Sequence, residues 1–331
     1  MRPTARFALL SLLLTFTASA WAQQATGTLR WFKGNTHTHT VNSDGDSTPD
    51  AVVTWYREQR YHFLVITDHN FVTPVDALNA LHAADGRFLV MAGEEVTDQA
   101  AGKPVHLNVV GSRGVLVTPQ GGTTPADALR RDVEAMRDAG GLIQINHPNF
   151  EWALSPGDML GAGRANVIEV FNGHPQVNNL GGGGAAGSEA IWDSMLGAGQ
   201  RIYAVASDDE HELKRVSRQA ANPGRGWVMV RAAALTQAAI LDAMRRGDFY
   251  ATTGVELSDV QATSKGLTVA IKPQGTAKYL VQFIGPGGRL LKEATSNPAQ
   301  YDFAGGEMYV RAKVIDSNGW IAWTQPAWPD K

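Results

Sequence analysis

Cysteine is absent from the 331-residue sequence. Its absence excludes disulfide bonds and a lipoprotein-type cysteine anchor, and any metal site would have to use His, Asp and Glu alone. An excess of basic residues is also missing, because 29 Lys and Arg stand against 32 Asp and Glu and give a formal net charge of −3. That balance argues against a nucleic-acid polymer as the partner.

Long hydrophobic runs are scarce as well, and the apolar stretch near the N-terminus covers only about residues 7–18. It is too short to span a bilayer comfortably, which takes about 20 residues. Two arginines precede it and the tripeptide Ala20-Trp21-Ala22 follows it, as in a secretory signal peptide. We therefore expect residues 1–22 to be a signal peptide cut after Ala22, rather than an uncleaved anchor, and the mature protein to be periplasmic or secreted without a stable membrane anchor.

Short apolar runs alternate with amphipathic segments between residues 30 and 250. Helix starts are predicted at Thr48-Pro49 and Thr124-Pro125, where an N-cap residue precedes a proline at the first helical position. The apolar runs resemble strands covered on both faces. They are HFLVI (62–66), FLVMA (88–92), VHLNVV (105–110), LIQI (142–145), VIEVF (167–171), IYAVA (202–206) and WVMV (227–230). Such alternation predicts a parallel α/β fold, and seven or so units favour a closed barrel over an open sheet.

The pattern changes after about residue 256, where alternating strands are separated by Gly-Pro-Gly-Gly and Asn-Gly turns without an intervening helix pattern. We predict a barrel domain over residues 23–255 and a small antiparallel β-rich C-terminal domain over residues 256–331. The glycine-rich segment at residues 178–188 is interpreted either as a lid or as a plain linker.

Histidine and carboxylate residues follow several of the predicted strands, where the chemistry of parallel α/β barrels is found. They are His37 and His39, Asp68 and His69, Glu94 and Glu95, His147, and Asp208, Asp209 and His211, whereas the depth of His106, near the start of its run, is undetermined. Converging imidazoles and carboxylates leave desolvated charge unless a cation holds them. The pattern therefore favours a site for Zn, Mn or Fe.

Six short motifs carry a family resemblance: HTHTVNSDG, ITDHN, GEEVT, VHLNVVG, NHPN and ASDDEH, in that order between about residues 33 and 212. Together they resemble the polymerase-and-histidinol-phosphatase (PHP) superfamily of metal-dependent phosphoesterases. The resemblance implies a distorted (β/α)7 TIM-like barrel with a trinuclear site for divalent metal ions.

The resemblance also implies which residues hold the ions. The first ion is assigned to His37, His39, Glu95 and Asp209; the second to Glu95, His106 and His147; and the third to Asp44, His69 and His211. Glu94 and Asp208 remain alternatives to their neighbours Glu95 and Asp209. Asp68 is expected to orient one of the ligand histidines.

Such a site predicts hydrolysis of a small-molecule phosphomonoester or phosphodiester by metal-bound hydroxide. His211 or His174 is expected to protonate the leaving oxygen, and Arg215, Arg218 and Arg225 are candidates for binding the substrate phosphate. Two alternatives remain. An amidohydrolase-type metal hydrolase commonly uses a metal-bridging lysine, and the predicted strand ends carry none. A non-catalytic metal-containing protein that binds a surface polymer or glycan is the other. The sequence gives no indication of the oligomeric state.

Overall fold

The computed structural model describes residues 28–162 and 164–330. The predicted signal peptide, residues 1–22, lies outside the described residues. Within the described ranges, none of the helices has the length and apolar character needed to cross a membrane.

Strands and short helices make up the described chain, and every apolar run predicted as a strand is one. The strands are β1 (Arg30–Asn35), β2 (Phe63–Ile66), β3 (Leu89–Ala100), β4 (Lys103–Val110), β5 (Leu142–Ile145), β6 (Val167–Asn172), β7 (Tyr203–Ser207), β8 (Trp227–Ala232), β9 (Phe249–Thr252), β10 (Leu257–Thr263), β11 (Gly266–Ile271), β12 (Tyr279–Gly285), β13 (Arg289–Ala294), β14 (Ala299–Asp302), β15 (Arg311–Asp316) and β16 (Ile321–Thr324). The α-helices are α1 (Pro49–Glu58), α2 (Asp76–His82), α3 (Pro125–Ala135), α4 (Pro156–Met159), α5 (Ser188–Gly197) and α6 (Gln237–Arg246).

Both predicted helix starts are confirmed. The Thr48 hydroxyl accepts a hydrogen bond from the Ala51 amide at 3.3 Å, and the Thr124 hydroxyl accepts one from the Asp127 amide at 3.2 Å. In each helix a proline follows the cap, where its missing N–H costs nothing. These caps fix where the chain leaves the loops that carry polar residues and enters a helix.

A large sheet of mixed strand direction runs in the order β13-β12-β15-β16-β9-β8-β1-β2-β3-β4-β5-β6-β7. Neighbours among β1, β2 and β3 and among β5, β6 and β7 are parallel. The predicted all-parallel arrangement is wrong for β4, which is antiparallel to β3 and β5, and for β8, which is antiparallel to β1. A continuous apolar run indicates that a strand is buried on both faces. It does not distinguish a parallel from an antiparallel strand, because a strand of either direction can be buried in this way.

Strands β13 and β7 form the two edges of this order, so the strand pairing itself does not close a barrel. The loops that follow β1 and β7 nevertheless pair with each other. The His39 amide donates to the Glu210 carbonyl at 2.9 Å, and the Asp209 amide donates to the His37 carbonyl at 3.2 Å. This pairing brings the carboxyl ends of the first and last parallel strands together.

The strands after residue 256 are antiparallel, and they fall into two groups. Strands β10, β11 and β14 form a separate three-stranded sheet, whereas β16, β15, β12 and β13 extend the large sheet from β9. The large sheet therefore crosses residue 256, where the domain boundary was predicted. A buried ion pair reinforces this connection, because Arg311 on β15 donates to both oxygens of Asp193 on α5, at 2.7 and 2.6 Å.

Helices cover the sheet and complete its hydrophobic cores. Val52 and Val53 of α1 pack with Leu64 and Ile66 of β2, and α6 packs against β1 and β8 in a second core. Helices α3 and α5 share a third core with β4 to β6. The three-stranded sheet and the C-terminal strands of the large sheet enclose a fourth core between them. These cores hold the strands so that their polar ends meet at one edge.

A tight hairpin joins β3 to β4. Ala101 and Gly102 form its turn, and both have positive φ, 52° and 72°. Across the hairpin Thr97 lies opposite His106 and Glu95 lies opposite Asn108, so these side chains share one face of the ladder. Because β4 runs backwards, the beginning of this strand lies at the carboxyl ends of the parallel strands. His106 therefore reaches the same edge as the other histidines.

Candidate metal centre

The nine side chains predicted as metal ligands gather at the carboxyl ends of the parallel strands. In each of them a carboxylate oxygen or an imidazole nitrogen lies within 4 Å of a group of the other kind in another member. The nine are His37, His39, Asp44, His69, Glu95, His106, His147, Asp209 and His211. They come from loops and strands spread over 175 residues of sequence, from His37 to His211. The fold thus brings together the whole set that the sequence predicts.

Glu95 lies at the centre of the cluster and is fully buried. Its carboxylate oxygens face five imidazole nitrogens at 3.1–3.2 Å: Oε2 faces His37, His39 and His69, whereas Oε1 faces His106 and His147. One carboxylate thus faces two separate sets of histidines, one set at each oxygen. That is the geometry of a carboxylate able to bridge two cations.

Asp209 closes the first set from the opposite side. Its Oδ1 lies 3.1 Å from His37 Nε2 and 3.2 Å from His39 Nε2. Asp209 has φ of 52°, a left-handed conformation that is strained for an ordinary residue and is often kept at functional sites. His37, His39, Glu95 and Asp209 each offer a ligand atom within 4.8 Å of the others, which matches the set predicted for the first ion.

Asp44 organises a second group nearer the solvent. Its Oδ1 lies 3.3 Å from His211 Nε2, and its Oδ2 lies 3.6 Å from His69 Nε2. Together with His39 these residues form a group with the spacing of metal ligands, which contains the predicted third set and adds His39. His69, Glu95 and His106 form another group, in which His69 takes the place predicted for His147.

Several buried polar atoms of the cluster lack a hydrogen-bond partner within residues 28–162 and 164–330. They are His37 Nε2, His39 Nε2, His106 Nδ1, Glu95 Oε2 and Asp209 Oδ1. Buried polar atoms are rarely left unpaired, because each costs about 1–3 kcal/mol. Four of them, on His37, His39, Glu95 and Asp209, face one another, and His106 Nδ1 faces the other oxygen of Glu95. Divalent cations with imidazole and carboxylate ligands would satisfy these atoms. The residues present therefore fit a metal centre.

The electrostatics of the cluster agree with this geometry. Burial favours neutral His37, but the carboxylates of Asp209 and Glu95 outweigh it and raise the pKa of His37 well above its usual range. Burial likewise opposes ionisation of Glu95, yet the histidines around it hold its pKa well below the usual range. Without a metal ion these carboxylates favour a protonated His37. A metal ion and a proton therefore compete for the His37 nitrogen that faces the cluster.

Glu169, in the middle of β6, supports the centre from behind and was not singled out from the sequence. Its Oε1 lies 2.7 Å from His37 Nδ1 and accepts hydrogen bonds from Gln144 and Ser207 at 3.0 and 2.5 Å. Its Oε2 accepts from the His147 amide at 2.7 Å. Glu169 thus keeps a proton on Nδ1 of His37 and leaves Nε2 free to face the cluster. A lone acid inside the apolar run VIEVF was the available signal.

The two doubled acids are resolved by the alternation of the backbone. Glu94 points away from the cluster, where its Oε2 accepts from the Val117 amide at 2.8 Å, and burial raises its pKa to about 7. Asp208 also turns away and accepts from the Tyr56 hydroxyl at 2.9 Å and the Arg225 amide at 2.6 Å. Glu95 and Asp209 are the members that face the histidines.

Asp68 holds the loop between His39 and Asp44. It accepts hydrogen bonds from the Thr40 amide at 2.7 Å, the Ser43 hydroxyl at 2.9 Å and the Thr73 hydroxyl at 2.5 Å. The Ser43 hydroxyl also lies 3.4 Å from His39 Nδ1. Asp68 therefore contacts a candidate ligand histidine through Ser43 and not directly.

Of the further candidate catalytic and substrate residues, His174 lies beside the cluster, whereas the contacts of the arginines are with other groups. The ring of His174 lies 5.5 Å from that of His211. Arg225 donates to the carbonyls of Gly173 and Ser217 at 2.9 and 2.8 Å. Arg215 pairs with Glu212 at 3.0 Å, and Arg218 is exposed. The guanidinium groups of Arg215 and Arg225 thus have partners within the protein, and neither is directed at the cluster by these contacts.

No family model matches the sequence, and a search of curated proteins finds no match. The fold is similar to that of a two-domain protein from Bacteroides vulgatus ATCC 8482 that contains a predicted PHP-like metal-dependent phosphoesterase. The TM-score is 0.51 at 17% identity, over 90% of this chain and 95% of that chain. A predicted metal-dependent phosphoesterase from Bifidobacterium adolescentis ATCC 15703 gives a TM-score of 0.41 at 16% identity, over 57% of this chain and 89% of that chain. An amidohydrolase from Chromobacterium violaceum gives 0.39 at 16% identity, over 55% and 88%. The similarity to the Bacteroides vulgatus protein shows that the described chain shares the fold of that PHP-like protein.

Proposed function

We propose that the protein is a metal-dependent hydrolase that cleaves a small-molecule phosphomonoester or phosphodiester at a trinuclear centre of divalent ions, Zn, Mn or Fe. The observation that carries the proposal is Glu95, whose two oxygens face five histidine nitrogens at 3.1–3.2 Å. The distorted (β/α)7 barrel predicted from the sequence belongs to the same proposal, with the paired loops after β1 and β7 completing the ring.

The residues of the centre have distinct tasks in this scheme. Clustered divalent ions, when bound, supply a nucleophile from water at neutral pH and neutralise the phosphoryl oxygens. Glu95 and Asp209 provide the charge that holds the ions, and Glu169 fixes the orientation of His37. The left-handed backbone at Asp209 places its carboxylate and the following His211 on the same side of the loop.

His174 is better placed than His211 to bind the leaving oxygen. His211 Nδ1 lies 3.0 Å from the Asp209 carbonyl, which can only accept, so Nδ1 carries the proton and Nε2 faces Asp44 as a ligand atom. His174 Nδ1 instead accepts from the Gln176 amide at 3.3 Å, so the neutral ring carries its proton on Nε2. His174 is therefore proposed to donate a hydrogen bond from Nε2 to the leaving oxygen, which takes its proton from water, and His211 is proposed as a ligand.

The two alternative functions are less well supported. Among the described residues the carboxylates of Glu95, Asp209 and Asp44 make ion pairs with histidines, and no lysine pairs with them as a bridging lysine of the amidohydrolase type would. A purely structural metal site would be closed. Here the side chains of His69, His106 and His211 are 23%, 12% and 18% exposed, so the centre is accessible to a substrate.

The proposal is tested by metal analysis and a substrate panel on the same preparation. Protein purified after loading with Zn, Mn or Fe is expected to retain up to three ions per chain and to hydrolyse phosphomonoesters or phosphodiesters, but not amides. His37→Ala should abolish both metal retention and turnover, because it removes a ligand from the most buried set. Hydrolysis of amides alone, or full turnover by a folded His37→Ala variant, would refute the assignment.

We also propose that residues 1–22 are removed on export and that the mature protein works in the periplasm or outside the cell, on a small-molecule substrate rather than a nucleic-acid polymer. The apolar stretch and the Ala20-Trp21-Ala22 site support this proposal. Cell fractionation followed by N-terminal mass analysis should find a chain that begins at Gln23. A full-length chain in the cytoplasmic fraction would contradict it.

A further inference from the structure

Five aromatic rings surround the mouth of the metal centre as a closed circle, which we call the rim: His69, His106, Phe150, His174 and His211. Successive ring centroids lie 5.5, 6.4, 6.1, 5.5 and 6.1 Å apart, from His69 to His106 and on around to His69 again. His37, His39 and His147 lie beneath the rim and are at most 7% exposed. A substrate that reaches the centre therefore passes the rim.

Three members of the rim are candidate ligands, and the other two, Phe150 and His174, are adjacent. Phe150 is half-buried, and its ring centroid lies 5.3 Å from that of His147 as well as 6.4 Å from that of His106. Its phenyl ring thus stands directly beside candidate ligands without offering one. An apolar ring in this position has no role in holding metal ions.

The loop that carries Phe150 is fixed in place. The Phe150 amide donates to the His147 carbonyl at 2.8 Å, and Phe150 forms an isolated β-bridge with Val177. Next to it, the Asn149 side chain donates to the carbonyls of Asn178 and Ala186, at 3.0 and 2.8 Å. These bonds clamp both ends of the glycine-rich segment to the loop after β5. The phenyl ring is therefore positioned before any ligand arrives, which reduces the entropic cost of binding.

The cations that bond next to Phe150 and His174 are held by backbone carbonyls. Arg225 donates to the Gly173 carbonyl, and Lys103 donates to the Glu151 carbonyl at 2.8 Å. The side of the mouth formed by Phe150 and His174 thus offers an apolar face and a neutral N–H donor. It suits the organic part of a substrate better than its phosphate.

We propose that Phe150 forms a subsite for a flat apolar group, an aryl ring or a heterocyclic base, carried by the phosphoester. The inference rests on the proposed function, because the phosphoryl end must bind at the metal centre for the flat group to reach Phe150. The stacking or edge contact of two aromatic rings, together with the surface it removes from water, corresponds to about a tenfold gain in affinity.

Phenylphosphonate and methylphosphonate test this directly, since they share the phosphoryl end and differ only in the group that would contact Phe150. Calorimetric titration of the metal-loaded protein should show phenylphosphonate binding about tenfold more tightly. Phe150→Ala should remove this preference while methylphosphonate still binds as before. Phe150→Leu, which keeps apolar bulk and guards against misfolding of the alanine variant, should retain only part of it. Leu290→Ala removes a 49% exposed apolar side chain on β13, at the edge of the large sheet opposite β7, and should leave the preference unchanged.

The subsite at Phe150 and the proposed phosphoester hydrolysis are refuted by different results. Equal binding of the two phosphonates, or a preference that survives in Phe150→Ala, would overturn the subsite while leaving phosphoester hydrolysis intact. If neither phosphonate binds and the metal-loaded protein hydrolyses no phosphoester in the panel, the proposed function is wrong and the subsite is lost with it.

Discussion

Replacing Glu95 by Gln tests the metal centre more directly than any other single change. The variant keeps the shape of the side chain but removes the charge that faces five histidine nitrogens at 3.1–3.2 Å. Removing one partner from a buried ionic cluster typically costs about 3–5 kcal/mol. Because about 1.4 kcal/mol corresponds to a factor of ten, metal affinity should fall by about two to four orders of magnitude.

Glu94→Gln is the matched control, because it alters the neighbouring residue on the opposite face of the same strand. Glu94 accepts a hydrogen bond from the Val117 amide, which a glutamine oxygen can also accept. Burial raises its pKa from 4.5 to about 7. The folded protein therefore binds more protons than the unfolded chain between these values, and stability is lost as the pH rises through this window. Glu94→Gln should thus be up to about 1–3 kcal/mol more stable than the wild type above pH 7, with no gain at pH 4.

The assay combines metal content with unfolding. Each variant is loaded, dialysed and analysed for ions per chain, and its urea unfolding is followed at pH 4 and pH 8. We expect Glu95→Gln to lose ions and Glu94→Gln to keep them. If Glu95→Gln retained the wild-type ion count and affinity, or if Glu94→Gln lost its ions to the same extent, the assignment of Glu95 as the bridging ligand would be wrong.

Three further predictions concern other parts of the molecule. Glu169→Gln weakens the hydrogen bond that orients His37 and should lower metal affinity about 10–100-fold in a competitive chelator titration, without changing the ligands themselves; unchanged affinity would contradict its supporting role. Metal binding at pH 7 should release protons, since the metal-free cluster raises the pKa of His211 to about 9 and that of His37 well above its usual range. Calorimetric titrations in buffers of different ionisation enthalpy measure the number of protons released, and a value of zero would refute the competition between metal and protons. Arg311→Met leaves Asp193 buried without its cationic partner, with only the Tyr309 hydroxyl bond remaining. It should destabilise the fold by about 3–5 kcal/mol in urea unfolding, with metal content preserved; a change below about 1 kcal/mol would show that the pair is dispensable.

Much of the site could be predicted because position along the chain is informative. His69 and His147 each follow a buried strand, and Glu95 lies on β3 just beyond its parallel pairing with β2. Parallel strands bring such positions together. Threonine followed by proline marked the starts of α1 and α3, because capping is a local interaction.

What could not be predicted depends on pairing between distant segments. The direction of β4 and the extension of the sheet from β9 to β16 are set by neighbours that local patterns do not identify. Glu169 was missed because strand runs were read for their apolar residues. A buried acid in such a run requires partners, and that requirement could have identified it.

The hairpin of β3 and β4 has a consequence for how the metal centre is specified. Two candidate ligands, Glu95 and His106, belong to one ladder, and the observed register places their side chains on the same face. A slip of one residue would present Val96 or Leu107 to the histidines instead. The turn at Ala101 and Gly102, which touches none of the ligands, sets that register through its left-handed backbone. The position of the metal centre therefore depends partly on the number of residues between this turn and the ligands. An insertion at the turn would be as damaging as the loss of a ligand.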